Sequence, residues 1–159
     1  MQLIHNMKFL SFLFIVLIAA SCGKKKAEEQ AKEQTAKDEA IIQQYISDNN
    51  LNAIATGSGL YYVIENEGAG ASCTSSSTVT VAYTGYFTDG DIFDQSSSQG
   101  VTFSLQQVIK GWTEGIPYFK EGGDGKLLIP SALAYGPDGN ASIPPNSVLI
   151  FDVELIEVL

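Results

Sequence analysis

From residue 56 to residue 159 the chain is a series of short β-rich runs cut by glycine and aspartate turns, and one stretch alone carries helical spacing. Residues 59–64 form one such run, ended by Glu67-Gly68-Ala69-Gly70, and residues 78–87 form a longer one. In the longer run Val79, Val81 and Tyr83 share a face, the period of two expected of a half-buried strand. Asp89-Gly90 follows as a hairpin turn signal. Residues 101–105, 125–129 and 147–158 complete the strand set, while Trp112, Ile116 and Phe119 predict a helix within 111–121. A sheet with one apolar face must bury it against something, so the pattern predicts an α+β fold in which the sheet curls around that helix.

Charge and composition narrow the chemistry. Residues 56–159 hold three lysines against twelve acids and carry the whole formal net charge of −9. The nine basic residues are all lysines. A surface of this sign repels phosphates, which sets nucleic-acid partners aside. The one histidine, His5, lies in a leader-like segment. Without it a chain has no imidazole for a Ser-His-Asp or Cys-His mechanism or for a histidine zinc site. Cys22 and Cys73 are too few for a four-cysteine centre. No metal and no cofactor is expected.

The first 55 residues read as an address and a spacer. Lys8 precedes a 12-residue apolar run over 9–20, which is short of the ~20 residues that span a bilayer and suits the core of a signal peptide. Ala19, Ala20 and Ser21 before Cys22 resemble a bacterial lipobox. That resemblance implies a lipoprotein-type signal peptide over 1–21, a diacylated Cys22, and a lipid-anchored protein of the bacterial cell envelope, on the periplasmic face or cell surface. Residues 22–37 read as a charged flexible tether, solvated and partly helical at best. Lys24, Lys25 and Lys26 there would meet anionic headgroups. Within 38–55 the spacing of Ile41, Ile42, Tyr45 and Ile46 predicts a short amphipathic helix, stopped by Ser47-Asp48-Asn49-Asn50 and followed by a linker. This helix packs either on the domain that follows or on a second copy of itself, which would give a homodimer through 38–55. Cys73, in a serine-rich turn, is expected to be a free, exposed thiol.

Six motifs occur in order within 56–159. They are Val81-Ala82-Tyr83-Thr84-Gly85, then Asp89-Gly90 with Phe93-Asp94, then Val108-Ile109-Lys110-Gly111-Trp112 with Glu114-Gly115. Ala134-Tyr135-Gly136, Ile143-Pro144-Pro145 and the run 149–155 follow. Together they resemble the FKBP-type peptidyl-prolyl cis-trans isomerase domain, of the immunophilin family that binds macrolide immunosuppressants. The resemblance implies an antiparallel half-barrel of five to six strands wrapped around a short helix, with an apolar pocket between them. It assigns to that pocket Tyr83, Phe93, Asp94, Val108, Ile109, Trp112, Tyr135, Ile143 and Phe151. Trp112 would be the floor under the substrate proline, and the Ile109 N–H and Tyr135 hydroxyl would donate to peptide carbonyls. Asp94 pairs with an arginine in many relatives, and no arginine exists here. Val101 stands where many have a wall phenylalanine, so a thinner wall and lower turnover are expected. The implied partners are X–Pro segments of exported proteins, with macrolides as inhibitors.

The chemistry suits such residues. Rotating an X–Pro amide breaks resonance over a barrier of about 18–20 kcal/mol, and no bond to the substrate forms. Water favours the planar, dipolar ground state, so a dry aromatic pocket favours the twisted one. Tenfold acceleration requires only about 1.4 kcal/mol. The competing reading is a non-catalytic module that holds Pro-containing or unfolded segments in the same pocket. Asp89, Asp91 and Asp94 lack the spacing of a calcium loop and read as a hairpin tip. Gly122–Lys126 fails the phosphate-loop pattern and reads as the turn after the helix.

Overall fold

The computed structural model describes residues 25–159 with their side chains, so the lipobox expected at Cys22 and the leader before it lie outside the described residues. Two compact units are distinguished, Met1–Ala36 and Lys37–Leu159. The helix α1 is assigned over Leu3–Asp48. In the first unit its described residues, 25–36, are almost all exposed. The spacer expected to be partly helical at best is therefore fully helical across 25–36. Alanine, glutamate, glutamine and lysine dominate it and are strong helix formers, and Glu28 stands four residues before Lys32 in the favourable order. Among the described residues no helix is long and apolar enough to cross a membrane.

The second unit begins with the last turns of α1. They stop where the sequence predicts, with Asn50 in the left-handed region at φ 54° and its neighbours closing on Tyr45 and Ile46 carbonyls. Seven strands follow: β1 (Ile54–Ala55), β2 (Tyr61–Asn66), β3 (Thr78–Tyr86), β4 (Ile92–Gln95), β5 (Val101–Ser104), β6 (Gly123–Ile129) and β7 (Leu149–Val158). Six have four residues or more, and β1 adds a two-residue edge. All pairings are antiparallel, in the order β1-β2-β6-β7-β3-β4, with β5 also on β3. Register shifts at Ile64/Asn66, Thr80/Val81 and Gly85/Tyr86 bend the strands and curl the sheet.

Alternation splits the sheet into two apolar faces. On the concave one Val79, Val81, Leu127, Ile129, Leu149, Val153 and Leu155 pack with Trp112, Ile116 and Phe119. The predicted helix is there as α2 (Lys110–Gly115), but shorter than expected, because a 3₁₀ turn over Ile116–Tyr118 with Pro117 at its start replaces the second half. Pro117 has no N–H to continue an α-helical ladder. A methyl on Gly111 would collide with the Ile129 side chain, and one on Gly115 would lie 2.6 Å from Leu127 Cδ2. The two glycines therefore set how closely α2 lies on β6.

The convex face is covered by the last turns of α1, within the second unit. Ile42 is fully buried there against Val63, Leu128, Val148 and Ile150, with Tyr45, Ile46, Tyr61 and Tyr86 around them. Of the two partners expected for the amphipathic helix, the apolar face that holds Ile42 has taken its own domain. Cys73 differs from expectation. It is a free thiol but is buried in the concave core, where burial pushes its pKa up. Its neighbour Ser72 bridges Lys120, which draws the serine-rich turn against the core.

Candidate active site

At the open end of the concave face, eight of the nine residues assigned from sequence line one cavity of about 420 Å³, namely Tyr83, Phe93, Asp94, Val108, Ile109, Trp112, Tyr135 and Phe151. Each comes from a different piece of local structure. Tyr83 follows Val79 and Val81 on the inward parity of β3, and Phe151 sits on β7 opposite Gly85. Phe93 and Asp94 are carried by β4, returned by a turn with Gly90 at φ 94° and Asp89 Oδ1 accepting from the Asp91 N–H. Ile109 is the extended residue that starts α2, and its carbonyl accepts from the Trp112 and Thr113 N–H groups.

Trp112 is the centre of the arrangement. Tyr83, Phe103 and Phe151 stand edge-on to its indole, with centroids at 5.1, 5.5 and 5.4 Å and interplanar angles of 89°, 81° and 81°. Edge-to-face contact places the positive rim of one ring on the negative face of another. Phe93 closes the wall against Phe151 at 5.5 Å. Trp112 is 4% exposed, and its Nε1–H is buried without a hydrogen-bond partner among the described residues.

Polar groups are few. The Tyr83 hydroxyl donates to Asp94 Oδ2 at 2.8 Å, so the carboxylate expected to lack a partner has a phenol in place of an arginine. Burial first, then this bond, pushes the Tyr83 pKa up to about 12. A tyrosine whose folded pKa exceeds its unfolded one stabilises the fold fully below the unfolded value near pH 10. That contribution is lost as pH rises toward about 12. The stability of the protein and of its Tyr83→Phe variant, followed by urea unfolding from pH 8 to 12, is expected to converge above pH 10. A constant gap across that window would show that the phenol does not titrate in this way. Two donors at the cavity, the Ile109 N–H and the Tyr135 hydroxyl, make no hydrogen bond within the described residues. Tyr135 is 38% exposed at the rim.

Two corrections follow. Ile143 does not line the cavity. It is buried in the core beneath it, 3% exposed, where Asn140 Oδ1 accepts from its N–H and ties down the loop 137–142. Val101 is 41% exposed and off the cavity, and the wall expected to be thinned there is supplied by Phe103. Phe103 pairs with Val79 and Val101 with Val81, so the two share one face of β5, and of the two it is Phe103 that lies over Trp112. Gln107 also lines the cavity and had no signal. A second cavity of about 440 Å³ has Tyr83 in its lining too, but the rest, including Glu65, Ser96, Asp124, Lys126, Asp152 and Glu154, holds no other aromatic residue. Among the described residues no cluster could hold a metal ion.

A curled antiparallel sheet around a short helix, with a tryptophan-floored aromatic cavity at its mouth, defines an immunophilin-type domain. Residues 70–156 match the model of the FKBP-type peptidyl-prolyl cis-trans isomerase family, and the chain belongs to that family. It is 45% identical over 145 residues to the "Probable FKBP-type peptidyl-prolyl cis-trans isomerase" of Haemophilus influenzae, covering 89% of this chain and 58% of that one. It is 41% identical over 140 residues to the FkpA isomerase of Escherichia coli K12, covering 87% and 51%. The crystal structure of E. coli FkpA superposes with a TM-score of 0.70 at 39% identity, covering 85% of this chain and 65% of that one. A Pseudomonas syringae peptidyl-prolyl cis-trans isomerase structure gives 0.71 at 30% identity, covering 80% and 94%. The chain thus spans about half the length of the curated relatives it matches.

Proposed function

We propose that this chain is a peptidyl-prolyl cis-trans isomerase acting on X–Pro segments of exported proteins. The observation that carries it is the pairing of a buried, edge-on aromatic box around Trp112 with two unengaged donors, the Ile109 N–H and the Tyr135 hydroxyl. The proline ring displaces water onto the indole. The preceding amide then lies in an apolar surrounding that stabilises its planar, dipolar form less than water does. The two donors hold the flanking carbonyls, so that binding energy is spent on keeping the chain twisted. No nucleophile, metal or cofactor takes part. The test is cis-to-trans isomerisation of short X–Pro–Phe peptides by the full chain. Catalysis inhibited by a macrolide is the expected result, and binding without catalysis would instead identify a holding module.

The leader and tether give the same activity a location. A lipobox ending at Cys22, followed by Lys24, Lys25 and Lys26, supports a diacyl anchor at the cell envelope. Two acyl chains make a stable anchor where one does not. The Cys22→Ala variant is expected to lose fatty-acid labelling and membrane fractionation; labelling that persists would refute the anchor. A homodimer through 38–55 would have to use residues such as Ile41, 41% exposed, because Ile42 is fully buried.

A further inference from the structure

The last turns of α1 are joined to the turn that carries Tyr135 through one buried carboxyl. Asp38 is 1% exposed, and its Oδ2 accepts from both the Ser131 N–H at 2.9 Å and the Ser131 hydroxyl at 2.6 Å. Ser131 is itself 2% exposed and opens the 3₁₀ turn Ser131–Leu133. Its carbonyl accepts from two further amides, the Ala134 N–H at 3.0 Å and the Gly136 N–H at 2.9 Å. These two residues flank Tyr135. Both amides that flank Tyr135 are therefore folded back onto one serine, with the Asn146 N–H donating to the Gly136 carbonyl at 2.8 Å as a further tie, and that serine is held from its other side by a side chain 93 positions earlier. The 3₁₀ turn has no side-chain cap of its own, so Asp38 takes the part that a local serine or aspartate plays elsewhere.

We propose that Asp38 is a positioning residue for Tyr135, setting the place of its hydroxyl through Ser131. The role of the hydroxyl rests on the isomerase reading given above, whereas the anchoring of the turn does not. Four bonds converge on Ser131, two from the helix side and two from the turn side. Removing the first pair leaves a buried N–H and a buried hydroxyl unpaired. The turn relieves that loss by moving Ser131 toward water, and Ala134 and Gly136 move with it. Tyr135 is exposed at the rim with no hydrogen bond among the described residues to restrain its hydroxyl, so its backbone turn is what holds it in place.

The test compares the full chain with Asp38→Ala, Asp38→Asn, Ser131→Ala and Tyr135→Phe, and with Asp38→Ala combined with Tyr135→Phe. In Asp38→Ala the Ala134 and Gly136 amides are expected to exchange with solvent about tenfold faster, while amides of β6 and β7 keep their protection. The Asp38→Asn variant retains one acceptor oxygen and is expected to restore part of that protection, and it serves should Asp38→Ala fail to fold. Turnover of X–Pro–Phe peptides is expected to fall through kcat more than KM. The double variant should then be no slower than Tyr135→Phe alone. Unchanged exchange at Ala134 and Gly136 would overturn the proposal whether or not the chain catalyses. Losses in kcat that add in the double variant would overturn it as well, since Asp38 would then act other than through Tyr135. If the wild-type chain were inactive, the isomerase reading would fail and the exchange data alone would decide the positioning role.

Discussion

Shortening the chain from 37–159 to 56–159 is expected to lower its unfolding free energy by about 3–6 kcal/mol. The segment removed includes Ile42, fully buried, and Tyr45, Ile46 and Leu51, partly buried on the convex face. One completely buried isoleucine contributes about 1.5–3 kcal/mol, and the half-buried side chains together add a similar amount. Polar ties go as well. The Tyr61 hydroxyl donates to Glu39 at 2.7 Å, the Gln43 amide donates to Tyr61 at 2.8 Å, and the Tyr45 hydroxyl donates to Tyr86 at 3.4 Å. Val63, Leu128, Val148 and Ile150 would be left facing water as one apolar patch. Domains of this size hold about 5–15 kcal/mol in all, so the shorter chain would stand close to its limit. Urea titration of both fragments measures the difference. Equal midpoints and slopes would show that α1 is a passenger on the sheet.

The second large effect is expected at Trp112. Replacing it with leucine should lower kcat/KM at least tenfold and stability by about 2–3 kcal/mol, somewhat less than the cost of truncating a buried aromatic to alanine. The double loss follows from its position. Trp112 is 4% exposed and holds three rings edge-on, so it is core and floor together. Tyr135→Phe is the contrasting case. It removes one donor from an exposed rim residue, and is expected to slow turnover about three- to tenfold with the urea midpoint unchanged. Peptide isomerisation and urea unfolding on the two variants separate the roles. Stability loss in Tyr135→Phe, or full activity in Trp112→Leu, would reverse the assignment.

The strands of the isomerase domain were legible because alternation and turn chemistry are local properties. Val79, Val81 and Tyr83 announced the inward face of β3, and Asp89-Gly90 announced the hairpin. Of the aromatic box, Tyr83, Trp112 and Phe151 were legible through ordered motifs. What escaped is what depends on register or on distant packing. Phe103 and Val101 share one face of β5, and only packing against Trp112 separates the ring that lines the cavity from the valine left exposed. Cys73 reads as surface from its serine neighbours, but the bridge from Ser72 to Lys120 carries it inward. Helical spacing showed that 38–47 had an apolar face without saying which surface it met, since a sheet and a second helix accept the same stripe. Asp38 lies just outside that stripe and carried no signal, because its partner Ser131 is far away in sequence.

The Tyr83–Asp94 bond has a consequence for how the cavity behaves in media of different salinity. An arginine and an aspartate attract each other as opposite charges, and at a partly open site dissolved ions weaken that attraction. Here the donor is a neutral phenol whose pKa is about 12, so the contact is a short-range dipole that counter-ions scarcely touch. That wall of the cavity is therefore expected to keep its shape as the salt concentration around the protein changes.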